Sequence, residues 1–179
     1  EIFVNGSATP AVTLNHGEYF ALDGTAFTVN NNLYIRASKN VFAYQAIGSL
    51  DPSGNPSLAN QNMHFLPPLS CQTPRSINNI PLINEVGSIT DFIGTVCLVT
   101  KVGATLDFII NGTNYTLTQL SAAGYVVNGP FAVTGNPDYV TYSIPGLTGN
   151  ISVFSSKQIY LSYYGSSGFA TYGGFYSGF

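Results

Sequence analysis

The stretch "SVFSSKQIYLSYY" at residues 152–164 decides how the chain is read, because it echoes "YIRASKNVFAYQ" at 34–45. Each places a Ser-Lys pair and one amide side chain between two runs of alternating β-branched and aromatic residues. Alternation with a period of two marks a strand. Short polar residues suit a tight turn, and a lysine at its tip stays solvated and discourages edge pairing. The echo therefore predicts two similarly built hairpins, with Ser38 aligned on Ser156, Lys39 on Lys157 and Val41 on Ile159. A ligand site built from both lysines is the competing reading, and no other part of the sequence supports it.

Working outward, the same alternation recurs in "AVTLN" (11–15), "AFTVN" (26–30), "TVCLVTK" (95–101), "TLDFIIN" (105–111), "TNYTLTQL" (113–120) and "YVTYSI" (139–144). Turn signals such as "NHG", "LDG", "KVGA" and "TGNPD" separate these runs. Many short strands at this spacing predict an all-β chain, an antiparallel β-sandwich forming one domain over residues 1–179. Residues 51–85 break the rhythm with six of the ten prolines. Proline cannot donate to a sheet ladder, so this segment reads as a long loop over the sandwich surface. Cys71 lies in that loop and Cys97 in a strand, and they are the only two cysteines. One Cys71–Cys97 disulfide, worth about 3 kcal/mol in the chain-entropy model, would pin the loop; a pair of buried free thiols is the alternative.

Composition excludes several functions. Only 7 % of residues are charged and the net charge is −3. The five basic residues, Arg36, Lys39, Arg75, Lys101 and Lys157, are scattered, whereas a phosphate backbone needs them clustered. No run approaches the roughly 18 apolar residues of a membrane helix. Glu1 opens directly on "IFVNG" and the chain ends on "GGFYSGF" without a polar tail, which predicts a piece of a longer protein.

No catalytic constellation emerges. His16 and His64 stand far apart, and no GxSxG elbow occurs. Cys71 follows His64 across a Pro-Pro step, and a disulfide would consume its thiol. Asp91 and Asp107, if placed on neighbouring strands, are the best pair for glycoside cleavage, but such residues ordinarily cap turns. Calcium is the metal that suits oxygen-rich loops, and Asp23, Asp51 and Asp138 are its candidate ligands in "LDG", "DPSGN" and "GNPDY". The C-terminal "QIYLSYYGSSGFATYGGFYSGF" offers the densest recognition chemistry. Tyr160, Tyr163, Tyr164, Tyr172 and Tyr176 are its candidate ligand-binding residues, each carrying an apolar ring and a hydroxyl suited to sugars or proteins. Part of this aromatic set must also fill the core.

The order of the pieces is itself informative. "YIRASKNVFAYQAIG" precedes "FLPPLSCQTP" and "NNIPLINEVG", then "GTVCLVTKVGATLDFIING", "PDYVTYSIPGLTGNISVFSSKQIYLSYYG" and "ATYGGFYSGF". From about Leu33 to Phe179 this resembles the domain related to the N-terminal region of IgG-Fc-binding protein, found in very large secreted proteins of Bacteroidota. Many of those are described as adhesins and carry gliding-motility or type IX secretion tails. The resemblance implies an extracellular, cell-surface, non-enzymatic module without assigned catalytic or ligand residues. Its expected partner is a glycan, a host or surface protein, or a neighbouring domain of the same chain. A structural spacer or filament subunit of a stalk is the alternative, and a polysaccharide-directed hydrolase comes third.

Overall fold

A computed structural model describes residues 1–47, 62–70, 72–168 and 170–176. The regular structure of the described chain is almost entirely antiparallel β. Its thirteen strands are β1 (Ile2–Val4), β2 (Ile35–Ala37), β3 (Ala43–Ile47), β4 (Asn62–Leu66), β5 (Ser76–Ile80), β6 (Ile93–Lys101), β7 (Leu106–Ile110), β8 (Thr113–Thr116), β9 (Asn128–Ala132), β10 (Tyr139–Leu147), β11 (Ile151–Ser155), β12 (Ile159–Ser167) and β13 (Ala170–Tyr176). One short helix, α1 (Leu117–Ala122), and a 3-10 turn at Gly24–Ala26 complete the list.

Two sheets make the body. A five-stranded sheet runs β13-β12-β6-β10-β9, and a four-stranded sheet runs β5-β11-β7-β8. Alternation explains why they close on each other. On β6 the even residues Val96, Leu98 and Thr100 are buried, and register sets them beside Ile144, Tyr142 and Val140 of β10 and beside Tyr163, Leu161 and Ile159 of β12. From the other sheet come Leu106, Phe108 and Ile110 of β7 with Ile151 and Val153 of β11. These side chains form one core cluster, so the arrangement is sandwich-like. Phe108, Ile144, Ile151 and Leu161 are completely buried. Truncating a residue of this kind to alanine costs about 2–5 kcal/mol.

Both Ser-Lys turns differ from the expected hairpins. β11 belongs to the four-stranded sheet and β12 to the five-stranded one. Likewise β2 pairs with β1, whereas β3 pairs with β4. Each turn is thus a corner that carries the chain from one sheet to another. The reason lies in the partners: Ser156 donates its backbone N–H to Thr105 and accepts from Thr105 N–H through Oγ, which ties the corner to the start of β7. Lys157 is not a free tip, since its Nζ lies 2.6 Å from the Val102 carbonyl.

The described part of the proline-rich segment includes strands as well as loop. β4 and β5 arise within 51–85, and Pro67, Pro68, Pro74 and Pro81 stand just outside strand ends, where no ladder N–H is required. "TNYTLTQL" divides into β8 and α1 because Thr116 and Gln119 form a capping box: Thr116 Oγ1 accepts from Gln119 N–H while the Gln119 amide oxygen accepts from Thr116 N–H. Of the expected strand "AVTLN", only Val12 pairs, bridging to Ile2. "AFTVN" forms the end of the 3-10 turn and the tight loop after it.

The expected disulfide does not brace the fold. Cys97 is a free thiol, while Cys71 lies outside the described residues. Cys97 points away from the core, on the same side of β6 as Thr95 and Val99, with its Sγ 4.0 Å from Ser143 Oγ. Burial pushes the thiol upward in pKa, with Ser143 opposing more weakly, which favours the protonated form.

Candidate functional site

The C-terminal tyrosines divide by strand parity. Tyr163 shares the core-facing side of β12 with Ile159 and Leu161, and it packs against the core cluster. Tyr163 lies directly opposite Gly174, and Tyr172 directly opposite Gly165. Each ring covers the glycine facing it; a Cβ on Gly174 would come within 2.6 Å of Tyr163 Cε1, and one on Gly165 would collide with the Tyr172 ring. Part of the glycine and tyrosine richness of 160–176 thus serves cross-strand packing, Tyr172 filling the missing side chain of Gly165 and Tyr163 that of Gly174. The Tyr163 and Tyr172 rings also meet each other at 6.1 Å, and Phe92 meets Tyr172 edge-on at 5.2 Å.

Tyr160 and Tyr164 face the opposite way. Tyr160 is only 4 % exposed, so its ring is withdrawn from any surface ligand. Its hydroxyl accepts from the Ser70 backbone N–H and donates to the Ser70 carbonyl, clamping the segment after Pro67-Pro68 onto the sheet. Tyr164 is half-buried beside Thr95; burial raises its pKa, with the nearby Cys97 adding and a hydrogen bond to Thr95 opposing. Tyr176 lies on β13 opposite Leu161, and its side chain is outside the described set.

The metal candidates are not brought together. Asp23 caps the 3-10 turn, accepting from Thr25 N–H at 2.9 Å and Thr25 Oγ1 at 2.6 Å. Those bonds hold its carboxyl below the ordinary range. Asp138 is exposed, and its carbonyl accepts from Val102 N–H at 2.9 Å. Asp51 lies outside the described residues. Among the described residues no three His, Cys, Asp or Glu side chains form a metal-sized cluster. The carboxylate pair also separates: Asp107 sits on β7 in the four-stranded sheet, while Asp91 accepts from Ser167 Oγ at the end of β12. His16 is exposed in a turn, and the His64 side chain is outside the described set.

A different surface carries exposed aromatics. In the β3–β4 hairpin Tyr44 opposes Phe65 and Ala46 opposes Met63, so these four share one face with Phe42. Phe42 is 81 % exposed, Tyr44 56 % and Met63 69 %. Phe65 is half-buried between Phe42, at 6.0 Å, and Tyr44, at 5.7 Å. Contiguous exposed apolar surface of this kind marks interaction sites on soluble proteins. The sequence signal was present: in "VFAYQAI" and "NMHFL" one parity carries Phe42, Tyr44, Ala46, Met63 and Phe65, while Gln45, Asn62 and His64 fall on the other.

The described residues thus form a charge-poor, antiparallel all-β body with one exposed aromatic face. The chain is a member of the IgGFc binding protein family, whose model matches residues 1–165. This is a family of binding domains that occur in secreted proteins. No curated protein and no solved structure matches the chain. No helix among the described residues is long and apolar enough to cross a membrane.

Proposed function

We propose that the chain is a non-enzymatic module of an extracellular cell-surface adhesin and attaches by binding glycan or protein through the aromatic face of the β3–β4 hairpin. The exposure of Phe42, Tyr44 and Met63 on one side of that hairpin carries the reading. A low-charge surface favours recognition by shape, apolar contact and hydrogen bonds, and tyrosine supplies the last two in one side chain. Cell-surface display in a longer bacterial chain, with the gliding-motility or type IX secretion setting implied by the family resemblance, belongs to the same proposal.

The test is a glycan and mucin-protein array, run with calcium and again with chelator. Saturable binding that disappears in a Phe42→Ala/Tyr44→Ala variant of unchanged melting temperature supports the reading. Binding that persists in that variant moves the site off the hairpin, and loss on chelation brings calcium into it. Silence across the array favours the second reading, a structural spacer or filament element of a stalk. That reading has its own support in the edge of β3 that no other described strand pairs.

A further inference from the structure

The sequence echo extends into a structural repeat. β1 pairs antiparallel with β2 as β7 pairs with β11. At one end of each ladder stands the Ser-Lys corner. Ser38 donates its N–H to the Glu1 carbonyl and accepts from the Glu1 nitrogen at 3.0 Å, just as Ser156 does with Thr105. At the other end stands an Asn-Gly turn in the left-handed region, with φ of 50° and 78° at Asn5 and Gly6 and 49° and 84° at Asn111 and Gly112. Asn5 donates its N–H to the Tyr34 carbonyl, accepts Tyr34 N–H on Oδ1 and donates from Nδ2 to Ala26. Asn111 does the same with Asn150 and Thr148. Beyond the corners, β3 pairs antiparallel with β4 as β12 pairs antiparallel with β13.

The copies differ in one respect. β12 is paired on both edges, by β13 and by β6, and β6 runs through a short turn into β7. β3 is paired with β4 alone among the described strands. Lys157 holds the β6–β7 turn by its Val102 carbonyl, while the equivalent Lys39 is exposed.

We propose that β1 to β4 form an incomplete second copy of the sandwich and that the open edge of β3 takes an added strand. The occupant is an extended antiparallel segment of the β6 type, alternating β-branched and apolar residues, joined to Glu1 through a short turn. The repeat sets its register: Val41 and Ala43 take the positions that Ile159 and Leu161 occupy against Thr100 and Leu98. Backbone pairing supplies the affinity and the alternation supplies the specificity. The proposal concerns the strand edge and does not depend on what the aromatic face binds.

Hydrogen exchange on Ala43–Ile47 tests it. In the chain alone, alternate amides should be protected by β4 and the intervening ones, aimed at the open edge, should exchange freely. Placing a copy of residues 93–104 ahead of Glu1 should slow that second set by about tenfold or more and raise the melting temperature, while a scrambled segment of the same composition should do neither. Equal effects of the two segments, or no effect of either, overturn the proposal. Protection of both sets in the chain alone also overturns it, and a concentration dependence would then assign the edge to a second copy.

Discussion

Tyr172 and Tyr160 show what a single hydroxyl does in a charge-poor protein. The Tyr160 hydroxyl is paired in both directions with Ser70, whereas the buried Tyr172 hydroxyl has no partner among the described residues. Burial, with a smaller contribution from Tyr163, pushes the Tyr172 pKa up to about 12. A group whose folded value lies above its unfolded value, near 10 for tyrosine, contributes stability that is complete below pH ~10 and lost as pH rises toward 12. Tyr172→Phe should therefore flatten the alkaline loss of stability between about pH 10 and 12. At pH 7 it should leave stability equal or higher by about 1 kcal/mol, because an unsatisfied polar atom is removed. Urea denaturation across that pH range measures both. The sequence marked Tyr160, Tyr163, Tyr164, Tyr172 and Tyr176 as recognition residues because a ring with a hydroxyl has the same composition whether it faces a ligand or a glycine on the next strand. Parity relative to the core distinguishes the two, and parity is set by pairing register.

Among the elements, alternation disclosed β2, β3, β6, β7, β10, β11 and β12 but not their partners. A period of two states which residues share a face; it does not say which strand lies alongside. That is why the two Ser-Lys turns read as hairpins when they are corners. The Asn111-Gly112 turn is the better predictor of local pairing, since a left-handed Asn followed by Gly matches the twist of a two-residue hairpin. Asn111 joins β7 to β8 this way and also makes three hydrogen bonds across to Thr148 and Asn150. Asn111→Ala combines left-handed strain with the loss of the two side-chain bonds and should cost roughly 2–3 kcal/mol. Asn5→Ala, on the shorter β1–β2 ladder, should release the N-terminal strands while leaving the main unfolding transition close to its original midpoint. Denaturation followed by far-UV circular dichroism, with exchange read separately on β1 and β7, compares the two.

Over the whole molecule, the N-terminal segment lies on the outer side of the five-stranded sheet. Buried Asn32 donates to the Ala132 carbonyl at 3.1 Å and to Thr141 Oγ1 at 3.3 Å, and it accepts from Thr28. Gly6 and Gly135 touch backbone to backbone, with a Cβ on Gly6 falling 2.5 Å from Gly135 Cα. Gly135 also has φ of 83°, which a side chain rarely tolerates. Gly135→Ala should lift the N-terminal segment off the sheet, so that limited proteolysis cuts within residues 7–30 faster while the segment containing β5 to β12 resists as before. Equal protection of both regions would show that the contact is dispensable. Long-range seating of this kind was invisible in the sequence, because a glycine chosen for close approach and one chosen for a turn are the same letter.

The corners have a consequence under mechanical tension. A chain that leaves Ser156–Gln158 into a different layer passes force from one sheet to the other across the core between them. Separating the layers then requires many side chains to lose contact together, whereas a hairpin yields one rung at a time. Drag on the domain would be resisted as a block, with the β1–β2 and β3–β4 pairs, two-stranded among the described residues, yielding before the body does.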